Sequence, residues 1–126
     1  MEKKFVVSWK GSKKPNKQRK YIANAPNHIS SKMICSMLSD ELKKKHNKNN
    51  LRVIKGDRVK ILRGQFKGKS GKVENVNIKT KKLYIENIEL QKKDGTKTQY
   101  PIHHSNVMIT ELNLKDKKRS EIIKRK

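Results

Sequence analysis

Apolar and polar residues alternate along the second half of the chain. Apolar pairs spaced by two residues recur at Val59 and Ile61, Leu83 and Ile85, Tyr100 and Ile102, and Val107 and Ile109. This spacing is the period of a strand that buries one face. The segments between these pairs, RGQFKGKSG, KTKK and KKDGTK, are rich in turn residues, and Asp94-Gly95 is a strong hairpin sequence.

Short strands joined by such turns predict a mainly β fold, a small antiparallel barrel over residues 51–114. The apolar residues move from odd-numbered to even-numbered positions between Val73 and Val76, and again between Ile85 and Ile88. Such a shift in the two-residue period indicates a bulge or bend, which lets a short sheet curl.

The pattern before this region is helical. Over residues 24–50, Asn27 is a candidate cap for a turn that carries Ile29, and Ser39 precedes the acidic pair Asp40 and Glu41. The second segment ends in lysines, which suit the negative end of a helix dipole. We therefore predict two short helices in residues 24–50.

Both ends of the chain are basic. Residues 10–20, KGSKKPNKQRK, contain no large apolar side chain, so they offer nothing to a core. We predict a basic N-terminal arm over residues 1–23 and a basic C-terminal tail over residues 115–126. A solvated, disordered arm is the alternative to an arm that binds a partner.

Composition indicates the kind of partner. The formal net charge is +23, and only 32% of the 126 residues are hydrophobic. Such an excess of positive charge opposes compaction until a polyanion neutralises it, and this favours nucleic acid. The sequence has no apolar run of the length that spans a membrane and no signal-peptide pattern, so we expect a soluble, intracellular protein with no membrane partner.

The aromatic content of 5% is too low for a base-stacking platform, so recognition by backbone and shape is expected. The aromatic residues near the arm, Phe5, Trp9 and Tyr21, are expected to pack against protein.

Catalytic and metal-binding patterns are missing from the sequence. Four histidines are scattered, and His103 and His104 would point in opposite directions on a strand. Cys35 has no partner for a disulfide, and its expected role is that of a small buried hydrophobe. We therefore expect no enzyme activity, no cofactor, no metal and no small-molecule substrate.

The stretch RVKILRGQFKGKSGKV, residues 58–73, is the best candidate for a contact surface. Gly64, Gly68 and Gly71 can adopt positive φ or admit a close backbone approach, and cations surround them. The loop lacks the spacing of a nucleotide-binding P-loop and is followed by a strand, so a hairpin that meets a phosphodiester backbone is favoured. His28 could contact RNA or cap a helix. The predicted RNA-binding residues are Lys13, Lys14, Lys17, Arg19, Lys20, His28, Lys32, Arg63, Lys67, Gly68, Lys69 and Lys72.

The same stretch resembles the KOW motif, through Val59, Ile61, Gly64, Lys67, Gly68, Gly71 and Val73. With NAPNHISSKMICSMLSDELKKKHN before it and IHHSNVMITELNLKDKKR after it, nearly the whole chain resembles the eukaryotic and archaeal form of the large-subunit ribosomal protein twenty-four family, called protein twenty-six in eukaryotes.

The resemblance implies an SH3-like barrel and a structural protein that binds large-subunit ribosomal RNA early in assembly, near the exit of the nascent-chain tunnel. It also implies neighbouring ribosomal proteins as partners, a cytoplasmic location on the ribosome, and a nucleolar stage in a eukaryote. The alternative is a KOW-containing transcription elongation or antitermination factor, which would need an α/β domain that residues 1–50 are too basic to form. A cationic membrane-active protein would need a long amphipathic helix.

Overall fold

The computed structural model describes residues 5–125. Within this range a 3-10 turn (Val7–Gly11) precedes four helices and nine strands. The helices are α1 (Pro15–Asn24), α2 (Asn27–Met33), α3 (Asp40–His46) and α4 (Lys117–Lys124). The strands are β1 (Cys35–Leu38), β2 (Asn50–Arg52), β3 (Arg58–Ile61), β4 (Ser70–Asn77), β5 (Lys82–Ile85), β6 (Glu89–Gln91), β7 (Lys97–Gln99), β8 (Ile102–His103) and β9 (Val107–Glu111).

Seven of these strands form one mixed sheet in the order β2-β1-β9-β3-β4-β5-β8, and β6 pairs with β7 separately. The predicted mainly β fold is confirmed. The sheet's hydrogen bonding begins at β2 and ends at β8, with no ladder joining these two strands among the described residues. The closed SH3-like barrel therefore stays a prediction.

Each of the three predicted turn segments joins two antiparallel strands. β3 pairs antiparallel with β4, β4 with β5, and β6 with β7, across the three turn segments that the sequence identifies. Gly95 in the last turn has φ +89°, as the Asp-Gly sequence favours. The register between β4 and β5 shifts between Val73 and Asn75, which confirms the predicted irregularity after Val73.

The alternating apolar residues form the core of the sheet. Val59, Ile61, Leu83 and Ile109 are almost wholly buried, while the intervening Arg58 and Lys60 are exposed. Residues from outside the alternating region join the same cluster, among them Ile34, Leu38 and Ile123. The core is therefore assembled from residues in three of the four predicted parts of the chain. The division into 1–23, 24–50, 51–114 and 115–126 stays a prediction.

The helical segment contains a strand that the sequence did not indicate. The two predicted helices are present as α2 and α3, but β1 lies between them and pairs antiparallel with β2 and parallel with β9. Asn27 is not the cap of α2, because Pro26 occupies the N-cap position and Asn27 is the first helical residue. Ser39 is at the N-cap of α3, without a side-chain hydrogen bond.

The basic tail is partly folded. Asp116 caps α4 by accepting from the backbone N–H of Lys118 at 3.0 Å. On this helix Ile123 joins the core, and Arg119 is buried against Asp57, which is fully buried. A buried ion pair and an apolar contact therefore attach residues 117–124 to the sheet.

The basic arm is also partly helical. The segment PNKQRKYIAN forms α1 with Pro15 at its first turn, a position that suits proline because no helical N–H is required there. Gln18 Nε2 donates towards the backbone oxygens of Trp9, Lys10 and Ser12, which folds the 3-10 turn back along α1. The first four residues of the predicted arm lie outside the described residues.

Candidate nucleic-acid interface

The loop between β3 and β4 is held by backbone hydrogen bonds and one aromatic contact. Gly68 N–H donates to Ile61 O, and Ile61 N–H donates to Lys69 O, each at 2.8 Å. Phe66 is buried and its ring centroid lies 5.1 Å from that of Tyr100. The loop is thus fixed from beneath by an apolar side chain, which leaves its polar face outward.

The glycines of this loop serve two different purposes. Gly64 and Gly68 have φ of +97° and +87°, and a methyl group added to either would meet nothing within 4 Å. Gly71 instead lies against the neighbouring strand, where an added Cβ would be 2.7 Å from Glu86 O and 2.8 Å from a methyl of Ile85. The first two glycines therefore leave open backbone at the surface, while Gly71 permits close packing of β4 on β5.

The loop cations occupy that open surface. Arg63, Lys67 and Lys69 are exposed, and the Lys69 ammonium lies 5.2 Å from the Phe66 ring centroid. The three ion pairs found among residues 5–125 are Lys43 with Asp40, Arg58 with Glu111, and Arg119 with Asp57. The loop cations belong to none of them, so their charge is available to an anion.

Lys72 has a different setting from the other predicted loop residues. It is exposed on β4, where it lines an open groove of about 1060 Å³ together with Glu74 and Glu86. Lys55 and Lys115 also line this groove, so ammonium groups and carboxylates are mixed there. Lys72 thus differs from Arg63, Lys67 and Lys69, which lie in the loop itself, in having carboxylates among its neighbours.

The arm brings a second group of cations together on α1 and the residues before it. Lys13, Lys14, Arg19 and Lys20 are exposed, and Arg19 donates a hydrogen bond to the Asn16 side chain. The ammonium of Lys17 lies 4.1 Å from the Trp9 ring centroid, a cation–π contact.

The rings of Phe5 and Tyr21 lie 5.1 Å apart, and Tyr21 is buried, so the expectation that the aromatic residues near the arm pack against protein is confirmed for this pair.

Lys81 attaches this helix to the sheet, a role that the sequence did not reveal. Its side chain is buried, and its ammonium donates to Ile22 O of α1 at 2.8 Å. Carbonyls in the last turn of a helix lack intrahelical partners, and a cation there also suits the helix dipole. In the sequence Lys81 is one of three lysines in the KTKK turn, and nothing local distinguishes it from the others.

His28 and Lys32 are both exposed on α2 and are four residues apart, which places them on the same side of the helix. The capping role considered for His28 is excluded, since it lies inside α2 and not at the N-cap. Its role as an RNA contact stays a prediction.

The histidine pair differs from the expectation. His103 ends β8 and His104 begins a 3-10 turn, so their ring centroids are 4.2 Å apart instead of pointing to opposite faces. The pKa of His103 is lowered by partial burial first, and then by the nearby charges of His104, Lys82 and Lys81. His104 Nδ1 lies 2.8 Å from Cys35 O and so joins this turn to β1.

Cys35 is only half-buried, which corrects the expectation of a buried hydrophobe. Its thiol donates to Lys32 O at 3.3 Å, and burial raises the pKa of the thiol despite the opposing charge of Arg52.

In the described part of the chain no group of histidine, cysteine and carboxylate side chains is arranged to hold a metal ion. No helix between residues 5 and 125 is long and apolar enough to cross a membrane.

Comparison with known proteins places these features in a family. Residues 12–126 match the family model that describes ribosomal proteins L26 of eukaryotes and their archaeal protein twenty-four counterparts. The chain is 48% identical over 110 residues to the large ribosomal subunit protein uL24 of Methanoculleus marisnigri, covering 87% of this chain and 91% of the relative. The chain therefore belongs to the ribosomal protein family that comprises eukaryotic L26 and archaeal protein twenty-four.

Proposed function

We propose that this protein is a structural, non-catalytic component of the large ribosomal subunit and binds large-subunit ribosomal RNA through phosphate and shape contacts. The observation that carries the proposal is the exposed, unpaired charge of Arg63, Lys67 and Lys69 around the open backbone of Gly64 and Gly68. Exposed cations beside accessible backbone suit a phosphodiester chain, since phosphate contacts dominate RNA affinity and position the protein.

The second contact surface is α1 with the residues before it. The cations there lie on a helix that Lys81 fixes to the start of β5, so the arm meets RNA as an oriented helix and not as a free chain. His28 and Lys32, exposed on α2, are proposed as further RNA contacts. In the proposed mode the SH3-like sheet sets the position of the protein, and the helices follow RNA surfaces around it.

The family also suggests where and when the protein acts. We propose that it binds early in assembly of the large subunit, near the exit of the nascent-chain tunnel and beside other ribosomal proteins. Its proposed location is the ribosome in the cytoplasm, with a nucleolar stage if the organism is eukaryotic. Both groups of proteins named by the family model are ribosomal, which supports this location.

Sedimentation of a cell extract on a sucrose gradient tests the proposal. At high Mg²⁺ the protein should migrate with whole ribosomes, and at low Mg²⁺, where the subunits separate, it should follow the large subunit alone. Migration with RNA polymerase, or release by a moderate salt wash, would contradict the proposal and favour the elongation-factor alternative.

A further inference from the structure

A small cationic recess lies beside the β3–β4 loop and includes residues that the sequence did not single out. It has a volume of about 140 Å³, and its lining includes the polar side chains of Arg63, Gln65, Lys82, His103 and Asn106. No aspartate or glutamate is among the described residues that line it. The larger groove beside Lys72, in contrast, contains Glu74 and Glu86.

Strand pairing brings two residues of the recess, Lys82 and His103, together. Lys82 on β5 is directly opposite His103 on β8 in the antiparallel ladder. Residues opposite each other in such a ladder have neighbouring side chains on one face of the sheet. Lys82 is half-buried and takes part in none of the ion pairs found between residues 5 and 125. The recess therefore contains a cation whose charge no protein carboxylate neutralises.

The hydrogen bonds of His103 show which ring nitrogen can donate a hydrogen bond to a ligand. Its Nδ1 accepts from the Ser105 N–H at 3.3 Å and lies 2.7 Å from Ser105 Oγ. In a neutral imidazole whose Nδ1 is an acceptor, the proton is on Nε2. That Nε2–H has no hydrogen-bond partner among the described residues, so it can donate to a ligand in the recess.

The β3–β4 loop forms the remaining side of the recess through Arg63 and Gly64. Arg63 is exposed and brings a planar guanidinium, which matches the oxygens of a phosphate in a bidentate geometry. Gly64 follows it with φ +97° and no atom within 4 Å of where a Cβ would stand, so the backbone does not obstruct the entrance.

We propose that this recess binds one backbone phosphate of the RNA, with Arg63, Lys82 and His103 as its ligands, an inference that rests on the proposed function. The recess is lined by cations without a carboxylate among its described residues, so it favours an anion. Its volume is large enough for a compact group in place of several water molecules. Arg63 and Gly64 line the recess and also belong to the β3–β4 loop, so the site is continuous with the loop surface proposed to meet RNA. Partial burial is the main cause that lowers the pKa of His103, and the further lowering by His104, Lys82 and Lys81 is consistent with a positive potential in the recess.

Binding measurements on single variants test the site. Full-length large-subunit ribosomal RNA is titrated with the full chain, and transfer RNA serves as the competitor. Lys82→Gln should weaken binding roughly tenfold and reduce the slope of log affinity against log salt by about 0.7–0.9, because one phosphate contact is lost. His103→Gln should weaken binding above pH 7 without changing that slope, because the neutral imidazole contributes a hydrogen bond and no charge.

The matched control is Lys97→Gln, which removes one exposed lysine from β7, outside the recess. Its affinity and salt slope should equal those of the wild type. Thermal melting of each variant shows whether the fold is kept. If Lys82→Gln and His103→Gln both bind like Lys97→Gln while the wild type binds ribosomal RNA, the recess is not a contact and only this inference fails. If the wild type shows no preference for ribosomal RNA over transfer RNA, the proposed function itself fails.

Nuclear magnetic resonance of the histidine rings gives an independent measurement. RNA should raise the pKa of His103 because a phosphate favours the imidazolium, while the half-buried His46 on α3, outside the recess, serves as an internal reference. Inorganic phosphate separates the two possible sources of the anion. An increase caused by inorganic phosphate and not by RNA would overturn the assignment to an RNA strand, and so would an unchanged pKa in both titrations.

Discussion

Replacement of Arg119 by methionine is expected to destabilise the protein severely. The Arg119 guanidinium contacts both carboxylate oxygens of Asp57, at 2.6 and 2.7 Å, and donates to Asn113 O at 2.8 Å and Arg52 O at 3.1 Å. Asp57 also accepts from the backbone N–H groups of Ile54 and Asn113, at 3.0 and 2.8 Å. The carboxylate is fully buried, so water cannot replace the lost partner.

The burial of Asp57 determines how much unfolding free energy Arg119→Met should remove. Removing one partner of a buried ion pair leaves an uncompensated charge and costs about 3–5 kcal/mol. Total stabilities of natural domains are only about 5–15 kcal/mol, so Arg119→Met should remove a large fraction of the stability. The exposed pair of Arg58 with Glu111, whose charged atoms are 3.6 Å apart, provides the matched control. Arg58→Gln should cost less than about 1 kcal/mol.

Urea unfolding followed by far-ultraviolet circular dichroism measures both free energies. The double variant Asp57→Asn with Arg119→Met should be more stable than Arg119→Met alone, because the buried charge is then absent. Added salt should reduce the effect of Arg58→Gln and leave that of Arg119→Met nearly unchanged, since buried pairs are screened least. A loss below about 1 kcal/mol for Arg119→Met would refute the reasoning, and so would a double variant less stable than the single one.

Four further predictions concern the loop, the arm and the histidine pair. Gly68→Ala should cost about 1–2 kcal/mol through its φ of +87° and, if RNA approaches the backbone there, should weaken filter binding of the folded fraction as well. Lys67→Gln with Lys69→Gln should lower the salt slope of RNA binding by about 1.4–1.8 with an unchanged melting temperature; an unchanged slope would mean that the loop faces away from RNA. Lys81→Met should increase hydrogen exchange in α1 with little change in the β strands, and equal exchange in α1 would show that the bond to Ile22 O is dispensable. Because the pKa of His103 is lowered in the fold, its contribution to stability should be complete above its ordinary pKa of 6.5 and be lost as the pH falls through the lower folded value. His103→Gln should abolish that part of the pH dependence in urea unfolding, and an identical pH profile would contradict it.

The hairpins could be predicted from sequence because their determinants are local. Alternation of buried and exposed residues within a few positions gives β3, β5 and β9, and Asp94-Gly95 gives the last turn. The conformations of Gly64 and Gly68 followed from the same local reasoning. The exposure of the loop cations could also be predicted, because they occupy the polar positions of a turn.

Elements fixed by distant residues could not be predicted in this way. β1 is a strand because it fits between β2 and β9, and its short sequence CSML follows directly on a helix. α4 is held by Asp57, which is 62 residues away from Arg119. The Asp116 cap and the adjacent Ile122 and Ile123 were the local indications of that helix, yet the high charge around them favoured a tail. The recess formed by Lys82 and His103 depends on the β5–β8 pairing, which no local pattern specifies.

The parallel pairing of β1 with β9 has a consequence for synthesis of the chain. Met37 and Leu38 pair with Met108 and Ile109, so the middle of the sheet cannot close until almost the whole chain has been translated. At 5–20 residues per second the wait between the two strands is roughly 4–14 s. During this time β1 offers an unpaired edge, the kind of surface that recruits strands from other chains. Basic residues are spread along the whole chain, so even unfinished copies repel one another, and this repulsion protects the exposed strand edge from pairing with a second chain.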